Sequence, residues 1–154
     1  MNDTQAVQLL RDMLGIESLS GAEGLHADFL TRQMIAFGYT KACVDEAGNA
    51  VGEMGDPAAA VTIVLLGHQD TVPGRITVRM EDGRLFGRGA VDAKGPLAAF
   101  TAAVARIGPR AGVRFVVIGA TEEEAASSKG ARHIRQPMWA GGGTARRRSR
   151  WSCR

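Results

Sequence analysis

Cysteine is scarce in this 154-residue chain: Cys43 and Cys153 stand far apart and form no CxxC pair. That argues against a disulfide framework and against a zinc site built from cysteines. Long hydrophobic runs are missing too, since nothing approaches the roughly 20 apolar residues of a membrane span. No basic region followed by an apolar one opens the chain, so no secretory leader is expected and the expected location is cytoplasmic. The net charge of +3 misleads, because residues 137–154 hold five arginines and no acid; without them 14 basic residues face 16 acidic ones, or −2. The body therefore offers no electrostatic case for nucleic acid. What is present, an apolar fraction of 45%, suits one small soluble domain with a core.

The most informative stretch is residues 63–95. Ile63-Val64-Leu65-Leu66 has the length and branching of a buried strand, and Gly67 ends it. His68 and Asp70 follow at the exit and share a face of the extended chain. An imidazole beside a carboxylate matches a metal ligand with the partner that sets its tautomer. A hairpin is expected next, with arms Ile76–Met80 and Leu85–Phe86 around Asp82-Gly83. It leads into the glycine-rich residues 87–95, which carry Asp92, and Pro96 suits the start of a helix. Glu122-Glu123-Glu124 follow a second apolar strand, Val113–Gly119. Three consecutive carboxylates repel one another and call for a cation or for water.

Elsewhere the periodicity predicts helices over 3–14, 21–37, 96–107 and 127–135. The first would bury Val7, Leu10 and Leu14; the second has a broad apolar stripe including Leu25, Leu30, Met34 and Ile35. Ser20 with Glu23 matches a capping box. His26 reads as a partly exposed polar residue. Short strands are expected at 39–44 and 49–54. Strand, helix, strand predicts an α/β three-layer sandwich with a mixed, partly parallel sheet. Functional groups in such sheets gather beyond the carboxyl ends of the strands, where His68, Asp70 and the glutamates fall.

His, Asp and Glu without cysteine suit a hydrolytic zinc or cobalt site. The runs Gly67–Pro73, Gly87–Pro96 and Glu122–Arg132 resemble the dinuclear zinc aminoacylase and carboxypeptidase family. They are most similar to its branch of lysine and arginine biosynthesis. The resemblance implies a metal-dependent amide hydrolase with two Zn²⁺ or Co²⁺ ions. Its substrate would be lysine or ornithine held on a LysW-like amino-group carrier protein, or a small N-acetylated form of either. It implies His68 and Glu123 as metal ligands, Asp92 as the bridge, Asp70 as orienter of His68 and Glu122 as general base. Counting back from Lys129-Gly130 gives the other register, Glu123 as base and Glu124 as ligand. Full-length relatives are expected to be homodimers.

The family also requires a carboxylate ligand beyond residue 140, a distal histidine and a second domain. Residues 1–135 are thus expected to be the N-terminal part of a metallohydrolase catalytic domain. Residues 136–154 read as an irregular basic tail, resembling the product of a shifted reading frame. A non-catalytic fragment or binding module, and another deacylase or peptidase of the family, are the competing readings. Nucleotide binding at Gly87–Lys94 is weak, because the loop lacks the GxxxxGK[ST] pattern.

Overall fold

The computed structural model of the protein describes residues 1–139, the last four by backbone alone. The expectations placed on residues 140–154 lie outside the described residues. Four helices and six strands follow in order: α1 (Asp3–Gly15), α2 (Gly24–Ala36), β1 (Lys41–Val44), β2 (Ala50–Gly55), β3 (Val61–His68), β4 (Arg79–Glu81), β5 (Arg84–Phe86), α3 (Lys94–Ile107), β6 (Val113–Ala120) and α4 (Lys129–Trp139). The main sheet has the order β1-β2-β6-β3, and β4 and β5 form a separate hairpin. β1 and β6 flank β2 antiparallel, whereas β3 and β6 run parallel with Gly67 opposite Gly119 and His68 opposite Ala120. The crossover between the parallel strands runs through α3.

Two apolar clusters make this a three-layer α/β fold. On one face Leu9 and Met13 of α1, Leu30 and Met34 of α2, and Leu97 and Val104 of α3 pack on Met54, Phe115 and Val117. On the other face Ile134 of α4 packs on Val51, Val116 and Ile118. β2 approaches α2 closely at Gly52, where a Cβ would collide with Met34 and Tyr39. Among the described residues no helix is long and apolar enough to cross a membrane.

Several local expectations change. Val7 is exposed and α1 buries Leu9, Met13 and Leu14. Leu25 and Ile35 are exposed, and α2 buries His26, Ala27, Leu30, Thr31 and Met34. Each helix is apolar over more than one stripe, so packing on its neighbours chose the face. β3 has the composition of a buried strand but lies at the sheet edge, with Val61, Ile63, Val64 and Leu66 at least 40% exposed. The first hairpin arm pairs only over Arg79–Glu81, because the return strand is three residues long. The last helix continues to Trp139, past the expected end at Arg135.

α1 begins with a reciprocal cap: Asn2 Oδ1 accepts the Gln5 N–H at 2.9 Å, and Gln5 Oε1 accepts the Asn2 N–H at 2.8 Å. Asn2→Ala is expected to cost about 1 kcal/mol. Urea denaturation checks this, and an unchanged midpoint would deny the cap any energetic role.

Candidate metal centre

The site gathers at the carboxyl ends of the parallel strands β3 and β6. His68 is the last residue of β3 and is buried. Its Nδ1–H donates to the backbone carbonyl of Asp70 at 3.0 Å, which turns Nε2 outward. Nε2 then lies 2.9 Å from Asp92 Oδ1 and 3.7 Å from Glu123 Oε2. Burial opposes charge on the ring, but the Asp92 hydrogen bond, the Asp70 carbonyl and the charges of Glu123 and Asp70 outweigh it and raise the His68 pKa.

Asp70 is fully buried and joins three segments. Oδ1 accepts the Glu123 N–H at 3.1 Å, and Oδ2 accepts the Glu124 N–H at 3.0 Å and the Ser20 hydroxyl at 2.7 Å. The same Oδ1 lies 3.4 Å from His68 Nδ1. One carboxylate thus anchors the glutamate loop directly beside the imidazole.

Glu122 has a left-handed backbone, with φ of 55°. Its N–H donates to Glu23 Oε1 at 2.9 Å, and Glu23 is itself buried. The Glu122 carboxylate accepts the Ser127 hydroxyl at 2.6 Å and lies 3.8 Å from Lys129 Nζ. It is drawn toward α4. Ligand atoms of His68, Asp92 and Glu124 fall within 4.8 Å of one another. The Asp92 side chain is 78% exposed, so it is open to an incoming ligand.

A layer of polar residues lies beneath the site. Buried Gln69 bonds Gly48 O through Nε2 at 2.8 Å and faces His26 Nδ1 at 3.3 Å. His26 Nε2 is buried and has no hydrogen-bond partner among the described residues. Burial, and then the charge of Lys94, push the His26 pKa down to about 4, against a small opposing effect of Gln69. Lys94, also buried, donates to Met13 O at 3.1 Å and Ile16 O at 2.6 Å, closing the end of α1 onto the start of α3. Burial brings its pKa down to about 8, with the charge of Glu17 acting the other way. Asn49 accepts the Thr121 N–H at 3.0 Å and steadies the base of the glutamate loop.

Two sequence expectations are corrected here. Ser20 and Glu23 do not cap α2, whose start carries no side-chain cap. Both side chains serve the metal-edge loops instead, because Asp70 and the Glu122 peptide compete for them. His26 is not a partly exposed surface residue but is fully enclosed. Asn49, Lys94 and Glu23 gave no sequence signal as supports of the site.

One imidazole and two carboxylates converging at one point, with further carboxylates on the same loop and no thiolate, are a donor set that fits a divalent cation. An α/β domain bearing such a set at the carboxyl edge of its sheet is a candidate metal-binding domain. The chain belongs to peptidase family M20/M25/M40, which matches residues 64–152. It is 55% identical over 135 residues to a "[LysW]-lysine hydrolase" of Deinococcus radiodurans, covering 85% of this chain and 36% of that protein. Human carnosine dipeptidase 1 shares the fold with a TM-score of 0.69 at 24% identity, over 85% of this chain and 34% of the other. The Bacillus subtilis YXEP protein, described as a dinuclear metal-binding peptidase from the M20 family, aligns with a TM-score of 0.61 at 15% identity, over 85% and 38% of the two chains. The chain thus spans about a third of the length of the proteins it matches.

Proposed function

We propose that this chain carries the N-terminal part of a metal-dependent amide hydrolase that frees lysine or ornithine from an amino-group carrier protein, in the cytoplasm. The observation that carries this reading is the convergence of ligand atoms of His68, Asp92 and Glu124 within 4.8 Å. The name of the Deinococcus relative supplies the substrate, and the dinuclear description of the Bacillus protein supports two ions, zinc or cobalt. Deacetylation of N-acetyl-lysine or N-acetyl-ornithine is the same chemistry on a smaller acyl group.

His68 Nε2, Asp92 and one glutamate would hold the cation, with Asp92 as the bridge. A bound cation would polarise the amide carbonyl and acidify water. Of the two registers, the geometry favours Glu124 as ligand and Glu123 as general base. Glu124 belongs to the converging trio, whereas the Glu122 carboxylate is engaged by Ser127 and Lys129. Glu123 is free to take a proton, and its N–H on Asp70 holds it beside His68. The register with Glu122 as base and Glu123 as ligand would require Glu122 to leave those partners.

A second reading keeps the metal but not the catalysis. One experiment separates them. Co²⁺ titration followed by visible absorption is combined with hydrolysis of carrier-bound lysine and of N-acetyl-lysine. The hydrolase reading expects Co²⁺ binding and Co²⁺-dependent hydrolysis, both lost in Asp92→Ala with the circular dichroism unchanged. Binding without hydrolysis selects the second reading, and no binding refutes both.

A further inference from the structure

The loop that presents Asp92 also lines, with the β4–β5 hairpin, an open cavity of about 500 Å³ whose lining includes Ile76, Arg84, Phe86, Arg88, Val91 and Asp92. Its chemistry is unlike that of the metal edge, with two guanidinium groups among apolar side chains. Arg79, on the same hairpin, is already occupied, pairing with Glu81 at 3.1 Å and lying 4.3 Å above the Phe86 ring. Arg84 and Arg88 pair with no carboxylate among the described residues.

Arg88 is the more firmly placed of the two. Its neighbours Gly87 and Gly89 press against the interior, where a Cβ would come 2.9 Å from Leu14 and from Thr71 respectively. Its Nε–H donates to Gly74 O at 2.8 Å. Gly74 has φ of +111°, and a Cβ there would come within 2.9 Å of Arg88 Nη2. Gly74 is therefore the position where the absence of a side chain lets this half-buried guanidinium reach its place. Bonding Nε to the backbone fixes the plane of the fork and leaves terminal N–H groups for a ligand.

Resting on the hydrolase reading above, we propose that this cavity is a subsite for the carboxylate that an amino-acid substrate carries next to its scissile amide, with Arg88 as its anchor. Any amide made through an amino acid's α-amino group or through a glutamate γ-carboxyl keeps a free α-carboxylate a few bonds from the bond to be cut. Asp92 lines the cavity and also belongs to the converging trio, which places the bond to be cut at the cavity's edge. A planar fork with its orientation fixed in advance matches a carboxylate in two parallel hydrogen bonds, which a lysine ammonium does not. Ile76, Phe86 and Val91 give the groove apolar walls beside that pair. The subsite would select acids over their neutral amides.

Isothermal titration of the EDTA-treated chain tests this with two pairs of probes. N-acetyl-L-lysine against its carboxamide puts the carboxylate on the amine side of the amide. L-γ-glutamyl methylamide against its α-carboxamide puts it on the acyl side. At least one acid is expected to bind about tenfold more tightly than its neutral partner, and the pair that shows it identifies the side. Arg88→Gln should erase the preference, and Arg88→Lys should keep only a few-fold remnant. Thermal melts check that each variant is folded. Equal binding of acid and amide in both pairs, or a preference that survives in Arg88→Gln, overturns the subsite. The Co²⁺ titration reports separately: metal bound without acid preference refutes the subsite alone, and absence of metal binding refutes the hydrolase reading.

Discussion

Replacing Asp70 by alanine is expected to lower stability by about 3–5 kcal/mol and to weaken Co²⁺ binding roughly 10–100-fold. Its carboxylate is fully buried and accepts two backbone N–H groups and one hydroxyl. Deleting it leaves the part-buried Glu123 and Glu124 N–H groups without their acceptor, and unmade bonds of this kind cost more than made ones contribute. The loss of affinity follows because the glutamate loop and His68 are both referenced to this one group. Asp70→Asn retains acceptor capacity on only one atom and is expected to fall between wild type and alanine in both readouts. Urea denaturation and Co²⁺ absorption titration measure the two effects. Co²⁺ affinity within threefold of wild type in a folded Asp70→Ala protein would show that the loop is held by other means.

The second large effect is acid sensitivity from His26. Its pKa in the folded chain is about 4, below the ordinary value of 6.5. Above pH 6.5 the ring is neutral whether the chain is folded or not, and its contribution is fully present. As pH falls toward 4 the unfolded chain takes up a proton that the folded chain refuses, so stability declines. The whole window is worth about 3 kcal/mol. Urea midpoints of the EDTA-treated protein at pH 7, 6, 5 and 4 should fall steadily. In His26→Gln that part of the slope should vanish. An equal slope in the variant would assign the acid sensitivity to other groups.

How far the site was readable depends on the residue. His68 and Asp92 stand out only in company with the glutamate run, since a single His-x-Asp is ordinary surface polarity and an Asp among glycines is usually a turn residue. The structure puts them 2.9 Å apart although 24 residues separate them. Ser20 and Glu23 were readable only as a helix cap. Nothing in their spacing reveals that Asp70 and the Glu122 peptide lie opposite them. The glutamate run shows the complementary limit. Three identical neighbours have no internal mark of role, and only Ser127, Lys129, Glu23 and Asp70 distinguish them.

Sequence alone determined the kind of fold and the edge on which the chemistry falls. Two apolar β-branched strands joined through a helix dictate a parallel pair, and polar residues just past both strands must share the pair's carboxyl edge. The tertiary structure alone decided that β6 is central and β3 is at the edge, that His26 is enclosed, and which partners each glutamate takes. The physical reason is that residue spacing sets which side chains share a face of their own helix or strand. Which foreign surface covers that face depends on packing between elements distant in the chain.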